Sequence, residues 1–396
     1  MTSDVYWDPY DVEIDAHPHD IWKRMRDEAP VYRNDRYDFW ALSRFHDIDV
    51  AHRDPATFSS AHGTVLELMG DAPLNTGMMI FMDPPEHTRN RSLVSRAFTP
   101  RRVSGLEPHI RQLSRDLLGK WQPGQPFDLI EDFGAQLPSM VITELLGVDL
   151  ADRAMVKGWI DKMFHLEPGI GMVNDTSFTA GIALHEYLAE RMEERRDDPR
   201  DDLLTALVQA EVPDVDGTPQ QLTLDAATRF ATLLISAGTE TVARLIGWAA
   251  VLLDRHPDQR ADLVADPTLI PNAVEELLRY EAPSPVQGRY TTAEVTMHGT
   301  TIPAGSRVLL LTGSAGRDER EYEDPDHFDV RRNFDRHLSF GYGIHFCVGA
   351  ALARLEARIA LEEMLARDPE WKLDRDAAVQ LHTSTVRGWS SLPVAV

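Results

Sequence analysis

The segment that most constrains the fold is a glycine-rich stretch containing the only cysteine of the chain. It reads FGYGIHFCVG from Phe340 to Gly349 and precedes an apolar pattern of helical spacing that begins near Ala350. Glycine is costly in a packed segment, so these glycines predict a backbone with unusual dihedral angles or one that closely approaches a flat, bulky group. The positive end of the helix dipole favours a thiolate at Cys347, as in a metal ligand. A small buried hydrophobe is the alternative.

Composition predicts a globular protein with a large core. The chain has 396 residues, of which 43% are hydrophobic and 26% are charged, so it is neither disordered nor fibrous. No low-complexity linker or repeat divides the sequence, and we therefore expect a single domain over residues 1–396. A lone cysteine excludes an intrachain disulfide and a multi-cysteine zinc or iron–sulfur site.

The charge balance argues against two classes of partner. Sixty-four acidic residues against 40 Lys and Arg give a formal net charge of −24. Such a field repels nucleic-acid backbones and anionic membranes, so neither is expected to bind. No apolar run approaches the roughly 20 residues of a membrane span, and the acidic N-terminus lacks a signal-peptide core. The sequence thus predicts a cytoplasmic protein, of bacterial type.

Hydrophobic periodicity predicts a mainly helical α+β fold. Apolar residues recur at helical spacing in segments 103–118, 133–146, 178–195, 225–254, 272–280 and 350–367. Shorter segments with strand character are 31–42, 294–297, 306–312 and a stretch near the C-terminus.

A second segment combines a buried helix pattern with polar residues. The stretch LLISAGTETVARLIGWAAVLL is apolar at helical spacing, yet Gly238, Thr239, Glu240 and Thr241 follow one another within it. Glycine costs about 1 kcal/mol relative to alanine in a helix, and threonine hydroxyls can bond back to the preceding turn. Such a conflict often marks a functional site, although a helix that crosses a polar patch would look the same.

The cysteine segment resembles the haem-ligand loop of the cytochrome P450 family in its soluble bacterial form. Phe, Gly, Gly, His, Cys and Gly are all in register between Phe340 and Gly349. The resemblance implies that Cys347 is the axial thiolate on haem iron and that Phe340 shields the sulfur. It also implies that Gly341 and Gly349 lie at the cofactor, and that backbone N–H groups of the loop hydrogen-bond to the sulfur and tune its redox potential.

The polar stretch of the long helix is similar to the family's oxygen-binding groove, which reads Ala/Gly-Gly-x-acid-Thr. Here the groove is Ala237-Gly238-Thr239-Glu240-Thr241. By this resemblance Gly238 would leave room for dioxygen above the iron. Thr241 would hydrogen-bond to that oxygen, and Glu240 would relay protons from solvent.

Four side chains are implied as donors to the haem propionates. His87 and Arg91 lie four residues apart in DPPEHTRNR and so share one helical face. Arg289, in VQGRYTT, and His345, in the cysteine loop, would complete the set. Buried carboxylates need cationic or strong donor partners. Without the resemblance, His87 and Arg91 would fit a solvated basic turn.

Glu276 and Arg279 match the family's Glu-x-x-Arg helix, in which the pair locks the core behind the haem. Taken alone, this spacing is more typical of an exposed ion pair. The family's third member usually lies in a Pro-x-Arg-Phe stretch, and here the corresponding position is His327. An imidazole cannot replace a forked guanidinium, so the sequence leaves the geometry of this network open.

The order of these motifs follows the family along nearly the whole chain. It implies a triangular, helix-rich body with a smaller β region, holding haem b between the oxygen helix and the cysteine-loop helix. The implied reaction inserts one oxygen atom from O2 into an apolar substrate such as a steroid, terpenoid, fatty acid or macrolide. Electrons would come from NAD(P)H through a separate ferredoxin and ferredoxin reductase. A peroxide-driven peroxygenase and a non-catalytic haem sensor are alternatives, but neither needs the Glu240–Thr241 pair.

Two surfaces follow from the same resemblance. The substrate pocket would be lined by residues 60–81 and 164–178, the middle of the oxygen helix, Val286, Gln287 and Trp389; its apolar candidates are Leu66, Leu68, Met69, Met78, Met79 and Trp389. A ferredoxin would dock on a local basic patch formed by Arg101, Arg102, Arg354 and Arg358. Scattered surface arginines are the alternative.

Overall fold

A computed structural model describes residues 5–97, 100–122, 124–165, 167, 171, 173–213 and 219–395. The helices of this part of the chain are α1 (Val12–Ala16), α2 (Pro18–Glu28), α3 (Phe45–Arg53), α4 (Glu86–Ala97), α5 (Pro100–Gly105), α6 (Glu107–Leu118), α7 (Gln136–Leu146), α8 (Arg153–Met163), α9 (Asp175–Asp197), α10 (Leu203–Val208), α11 (Leu224–Arg255), α12 (Pro257–Ala265), α13 (Ile270–Tyr280), α14 (Thr312–Ala315) and α15 (Ala350–Arg367).

The strands form one larger sheet and three hairpins. They are β1 (Val31–Asn34), β2 (Phe39–Leu42), β3 (Phe58–Ser59), β4 (Glu211–Pro213), β5 (Pro219–Gln221), β6 (Gln287–Thr291), β7 (Val295–Met297), β8 (Thr300–Ile302), β9 (Arg307–Leu310), β10 (Val379–His382) and β11 (Arg387–Ser391). The larger sheet has the order β1-β2-β9-β6-β3. Its β2–β9 pair is parallel, with Ala41 opposite Leu309, and its other pairs are antiparallel. The hairpins are β4–β5, β7–β8 and β10–β11.

Most of the predicted elements are confirmed, with boundaries that local residues explain. Helix α15 has the predicted bounds, and α11 extends the prediction by one residue at each end. Two predicted segments are split. Segment 103–118 becomes α5 and α6, because Gly105 ends the first helix and Pro108 lies in the first turn of the second. Segment 31–42 is the β1–β2 hairpin.

The core is centred on α11. This helix packs against α7, α9 and α15. Leu245 and Ile246 of α11 belong to one apolar cluster with Leu277 of α13 and Leu361 of α15. Each fully buried side chain of this size contributes roughly 1.5–3 kcal/mol, so α11 and α15 are firmly held where the polar stretch and the cysteine loop occur. None of the helices in the described ranges is long and apolar enough to cross a membrane.

The Glu276–Arg279 pair is buried, not exposed. Arg279 donates to both carboxylate oxygens of Glu276 at 2.7 Å, and neither side chain is exposed to solvent. Arg332 donates from Nε to Oε1 of Glu276 at 3.2 Å. The third member of the network is therefore Arg332. His327 does not replace the guanidinium; only its backbone carbonyl takes part, accepting from Arg332 at 2.7 Å.

Candidate functional site

The cysteine loop owes two of its glycines to backbone conformation. Gly341 and Gly343 have φ angles of +66° and +68°, in the left-handed region that favours glycine. A Cβ on Gly343 would also collide with the backbone carbonyl of His52, at the end of α3. The close approach at Gly343 is therefore to another part of the chain. Gly349 differs: its φ is negative, and a Cβ there would lie 3.9 Å from the sulfur of Cys347.

The sulfur of Cys347 lies at the start of α15. The backbone N–H of Cys347 donates to the Phe340 carbonyl at 2.9 Å, and this hydrogen bond closes the loop. Burial raises the pKa of the Cys347 thiol, while backbone N–H groups of Gly349 and Ala350 and the charge of Arg91 lower it. The N–H groups at the start of α15 thus act in the direction expected of the helix end, but desolvation by burial has the larger effect on the thiol. The N–H groups directed at the sulfur agree with the predicted loop.

Phe340 lies among the side chains around this loop. The guanidinium of Arg354 lies 4.6 Å from the centre of its ring, and the rings of His337 and Phe346 lie 5.7 and 6.3 Å away. Phe340 also packs on the apolar cluster of α11 and α15. The loop is therefore fixed between the core and a charged rim.

His87 and His345 lie against each other. Their ring centres are 4.3 Å apart, and His87 is almost fully buried. Both ring nitrogens of His87 and Nε2 of His345 are buried without a hydrogen-bond partner in the described part of the chain. Burial and then the charge of Arg91 lower the pKa of His87 to about 4. His87 therefore has an N–H group without an acceptor in the described part of the chain, whereas His345 forms a backbone hydrogen bond with Met82 and only its Nε2 is unpartnered there.

Two arginines adjoin these histidines. Arg91 donates from Nη2 to the Phe346 carbonyl at 2.5 Å, which ties α4 to the cysteine loop. Arg289 is buried in β6 and donates to the Gly288 carbonyl at 2.7 Å. Burial lowers the pKa of Arg289 to about 10, opposed by the charge of Asp83. Burial and then the charges of Arg289 and His87 lower the pKa of His345 to about 2.

The four predicted donors therefore fit an anionic group. Arg289 has no carboxylate within ion-pair distance among the residues the structure describes, although it is buried. A buried positive charge without an anion is costly. Two carboxylates of a haem would give partners to the buried imidazole of His87 and the buried guanidinium of Arg289, with Arg91 and His345 beside them. The sulfur of Cys347 would supply a ligand for the haem iron.

The polar stretch lies in the middle of α11. Thr241 donates from Oγ1 to the Ala237 carbonyl at 3.2 Å, so these two residues lie one above the other on the same face. Gly238 faces elsewhere: a Cβ there would lie 3.6 Å from Ile142 of α7. A side chain at Gly238 would thus be directed at α7, and the role of Gly238 in leaving room for dioxygen stays a prediction. The groove face is that of Ala237 and Thr241.

Glu240 is held by a residue that the sequence interpretation missed. Arg244, one turn along α11, pairs with Glu240 and also donates to the backbone carbonyl of Trp389 in β11. A Cβ on Gly388 would lie 2.8 Å from Cδ of Arg244, so the hairpin packs directly on this arginine. The sequence does contain a signal for this pair, because an acidic residue and an arginine four positions apart on a helix can form an ion pair.

The expected substrate-pocket residues differ in burial. Leu66 and Met69 are buried in the apolar cluster beside the larger sheet and Met79 in the cluster between α7 and α9, whereas Leu68 and Met78 are half-buried. Trp389 packs on Trp248, with ring centres 5.7 Å apart. In segment 164–178, residues 166, 168–170 and 172 lie outside the described residues.

The turn of the C-terminal hairpin β10–β11, rather than Trp389, contacts the 60–81 loop. Ser384, between β10 and β11, donates to Glu67 at 2.5 Å. The same hairpin receives Arg244, so one element touches both the 60–81 loop and the residue that holds Glu240.

The expected basic patch is largely neutralised. Arg354 donates to both oxygens of Glu275 at 2.6 and 2.9 Å. Arg358 donates to Glu107 at 2.7 Å and to Glu362 at 3.0 Å. The side chain of Arg101 lies outside the described part. The two arginines of α15 therefore present little net positive charge to a partner.

Known proteins resemble this chain over almost its whole length. A family model described as Cytochrome P450 matches residues 42–385. The chain is 40% identical over 392 residues to the putative cytochrome P450 123 of Mycobacterium tuberculosis, covering 98% of this chain and 96% of that protein. It is 40% identical over 387 residues to the vitamin D(3) 25-hydroxylase of Pseudonocardia autotrophica, covering 96% and 94%. The solved structure of cytochrome P450 CYP109Q5 from Chondromyces apiculatus matches with a TM-score of 0.89 and 36% identity, covering 98% and 97%.

Proposed function

The chain belongs to the cytochrome P450 family of haem-thiolate monooxygenases, and we propose that it hydroxylates or epoxidises an extended apolar substrate. Electrons come from NAD(P)H through ferredoxin and ferredoxin reductase. One observation carries the proposal. A lone cysteine receives backbone N–H groups beside the buried imidazoles of His87 and His345, which have ring nitrogens without a hydrogen-bond partner among the described residues. Haem iron, when bound, supplies the activation of dioxygen and the transfer of one oxygen atom.

The chain's own residues have distinct roles in this reaction. Cys347 is the ligand of the iron, and His87, Arg91, Arg289 and His345 hold the two propionates. Their positive charge and N–H groups replace the water that carboxylates would otherwise require. The N–H groups of the cysteine loop keep negative charge on the sulfur, which tunes the potential of the iron.

Thr241 and Glu240 are assigned to proton delivery. The hydroxyl of Thr241 lies on the groove face with Ala237, whose carbonyl it contacts at 3.2 Å, and it would supply a proton on this face. Glu240 restores that proton from the solvent side as a general acid. Because Arg244 holds the carboxylate of Glu240, the carboxylate must separate from the guanidinium before it can carry a proton.

The first experiment tests the thiolate. Reduced wild-type protein under carbon monoxide should show the red-shifted Soret band of a sulfur-ligated haem. Cys347→Ala should lose this band, whereas Val348→Ala, a neighbour without a metal-ligating atom, should keep it. A histidine-type spectrum in the wild type, or a protein that cannot be reconstituted with haem, would contradict the proposal.

The second experiment tests proton delivery. Thr241→Ala should bind haem and substrate and consume NAD(P)H, but release most electrons as hydrogen peroxide. Glu240→Gln should slow turnover and enlarge the solvent isotope effect. Thr239→Ala is the matched control, because Thr239 is buried and its hydroxyl lies 3.4 Å from the Ile235 carbonyl on another face. Product and cofactor consumption in the wild-type ratio in Thr241→Ala would refute the assignment.

The presence of both Glu240 and Thr241 favours the monooxygenase over a peroxygenase or a haem sensor. Activity with reduced ferredoxin and dioxygen, compared with activity on peroxide alone, separates these classes. A relative bears the name vitamin D(3) 25-hydroxylase, which supports a sterol-like substrate. Spectral titration with vitamin D(3), a steroid, a long-chain fatty acid and a macrolide should give the largest low-spin to high-spin shift for the first two.

A further inference from the structure

One buried histidine outside the predicted set has the same unusual environment as His87. His52 lies in the last turn of α3 and is only 4% exposed. Both of its ring nitrogens are buried without a hydrogen-bond partner among the residues that the structure describes. Within the described ranges only His52 and His87 have both ring nitrogens in this state. Buried polar atoms are nearly always hydrogen-bonded, so each such imidazole requires an explanation.

The neighbours of His52 on its own helix do not supply an acceptor. Asp49, three residues earlier, accepts from Arg336 at 2.8 and 2.9 Å and from Arg53 at 3.2 Å. Its carboxylate is therefore already committed to two guanidinium groups. His46, on the same helix, is exposed and can be hydrated.

The ring of His52 is directed at the cysteine loop. Its Cε1 lies 3.7 Å from the position that a Cβ on Gly341 would take, and Oε1 of Gln287 lies at the same distance. The backbone carbonyl of His52 abuts Gly343. The end of α3 is thus locked against the loop, which fixes where the imidazole lies.

The charge around His52 is positive. Burial and then the charge of Arg289 lower the pKa of His52 to about 3, with Asp49 acting in the opposite direction. The imidazole is therefore neutral at physiological pH and has one N–H group to donate. An anion next to Arg289 would give this N–H its missing acceptor.

We propose that His52 is a fifth donor to the haem carboxylates, giving one imidazole N–H to the propionate that pairs with Arg289. This inference rests on the proposed haem site. It unites α3 with α4, β6 and the cysteine loop around the two carboxylates. His52 thereby retains the haem and orients that propionate, and it takes no part in oxygen transfer.

Haem retention tests the proposal on the holoenzyme. Haem transfer to an excess of apomyoglobin should be about tenfold faster from His52→Phe, because a hydrogen bond to a charged group is lost. His52→Gln keeps an N–H donor and should restore most of the retention. His46→Phe, on the exposed side of the same helix, should transfer haem at the wild-type rate.

A vibrational measurement separates hydrogen bonding from packing. The propionate bending band in the resonance Raman spectrum should shift in His52→Phe and return towards its wild-type position in His52→Gln. If His52→Phe keeps both the wild-type transfer rate and the wild-type band, the proposal is wrong. Faster transfer with an unshifted band, not rescued by His52→Gln, would also overturn it. Failure of the haem site itself would appear differently, as a wild-type protein without the thiolate Soret band.

Discussion

Two buried clusters of charged side chains differ in what neutralises them. Around Glu276, each carboxylate oxygen accepts from a guanidinium, and both Arg279 and Arg332 contribute. Around Arg289, the nearby imidazoles of His87 and His345 have buried nitrogens without acceptors in the described residues. Buried charge is costly unless it is paired. The first cluster therefore stabilises the fold by itself, whereas the second is complete only with an anionic ligand.

The largest effect is expected in the paired cluster. Arg279→Met should lower the free energy of unfolding by about 3–5 kcal/mol, because it leaves the Glu276 carboxylate buried without its main partner. The loss should be the same with and without haem, as measured by urea unfolding followed by circular dichroism. Arg24→Met, which removes an exposed pair with Glu28 at 2.9 Å, should cause no measurable change. An equally small loss for Arg279→Met would erase the distinction between the clusters.

In the cluster around Arg289, replacement of an arginine by methionine should have opposite effects on the haem-free and the haem-bound protein. Arg289→Met should leave the haem-free protein as stable as the wild type or more stable, because an uncompensated buried charge disappears. Haem should be released roughly tenfold faster or more, since a charge-assisted bond is lost. Unfolding and transfer to apomyoglobin measure the two quantities.

Arg307→Met on β9 is a suitable control, because Arg307 pairs with Asp38 at 3.3 Å near the surface. A large loss of stability in haem-free Arg289→Met would mean that an internal anion pairs with Arg289.

The pH dependence of the haem-free protein should reveal the burial of His52 beside the charge of Arg289. The pKa of His52 is lowered from 6.5 to about 3. Below pH 6.5 the unfolded chain binds a proton that the folded chain does not bind. The free energy of unfolding therefore decreases as the pH is lowered from 6.5 to about 3, by up to roughly 1.4 kcal/mol per pH unit.

Removing the imidazole should remove this slope. The free energy of unfolding of His52→Phe minus that of the wild type should be about 2 kcal/mol larger at pH 4.5 than at pH 7. His46→Phe should follow the wild-type profile. A constant difference between His52→Phe and the wild type would show that His52 is protonated in the folded chain.

The smallest effect is expected at Arg358. Its guanidinium is already paired with Glu107 and Glu362. Like the arginines around Glu276, it therefore offers little positive charge for the docking of a partner. Arg358→Gln should change the rate of reduction by ferredoxin within about twofold, with little change in its salt dependence. Stopped-flow reduction at several salt concentrations tests this, with Val348→Ala as the reference. A severalfold slower reduction would show that the partner breaks these ion pairs.

Local motifs were predictable because short spacing fixes local geometry. The loop from Phe340 to Gly349 and helix α15 occur where the sequence predicts them. Glu276 and Arg279 lie three residues apart on α13, so any helix there brings them together. The face shared by Ala237 and Thr241 follows from a spacing of four residues.

Directions between elements were not predictable. The sequence pattern implied an oxygen groove from Ala237 to Thr241, but it did not show that Gly238 faces Ile142, which depends on how α7 packs on α11. The histidine at position 327 left the geometry of the network open, and Arg332, five residues later, supplies the guanidinium. A loop can bring either residue to Glu276, and spacing alone does not distinguish them.

The sequence by itself determined the family resemblance, the position of the one thiol and the helix that follows it, because each depends on residue type and short spacing. Only the tertiary structure decided that Arg244 ties Glu240 to β11, that Arg358 is neutralised and that His52 lies beside Gly341. Those contacts join residues more than a hundred positions apart. They follow from which helix and strand surfaces pack together to bury apolar area, a property of the whole chain and not of any segment.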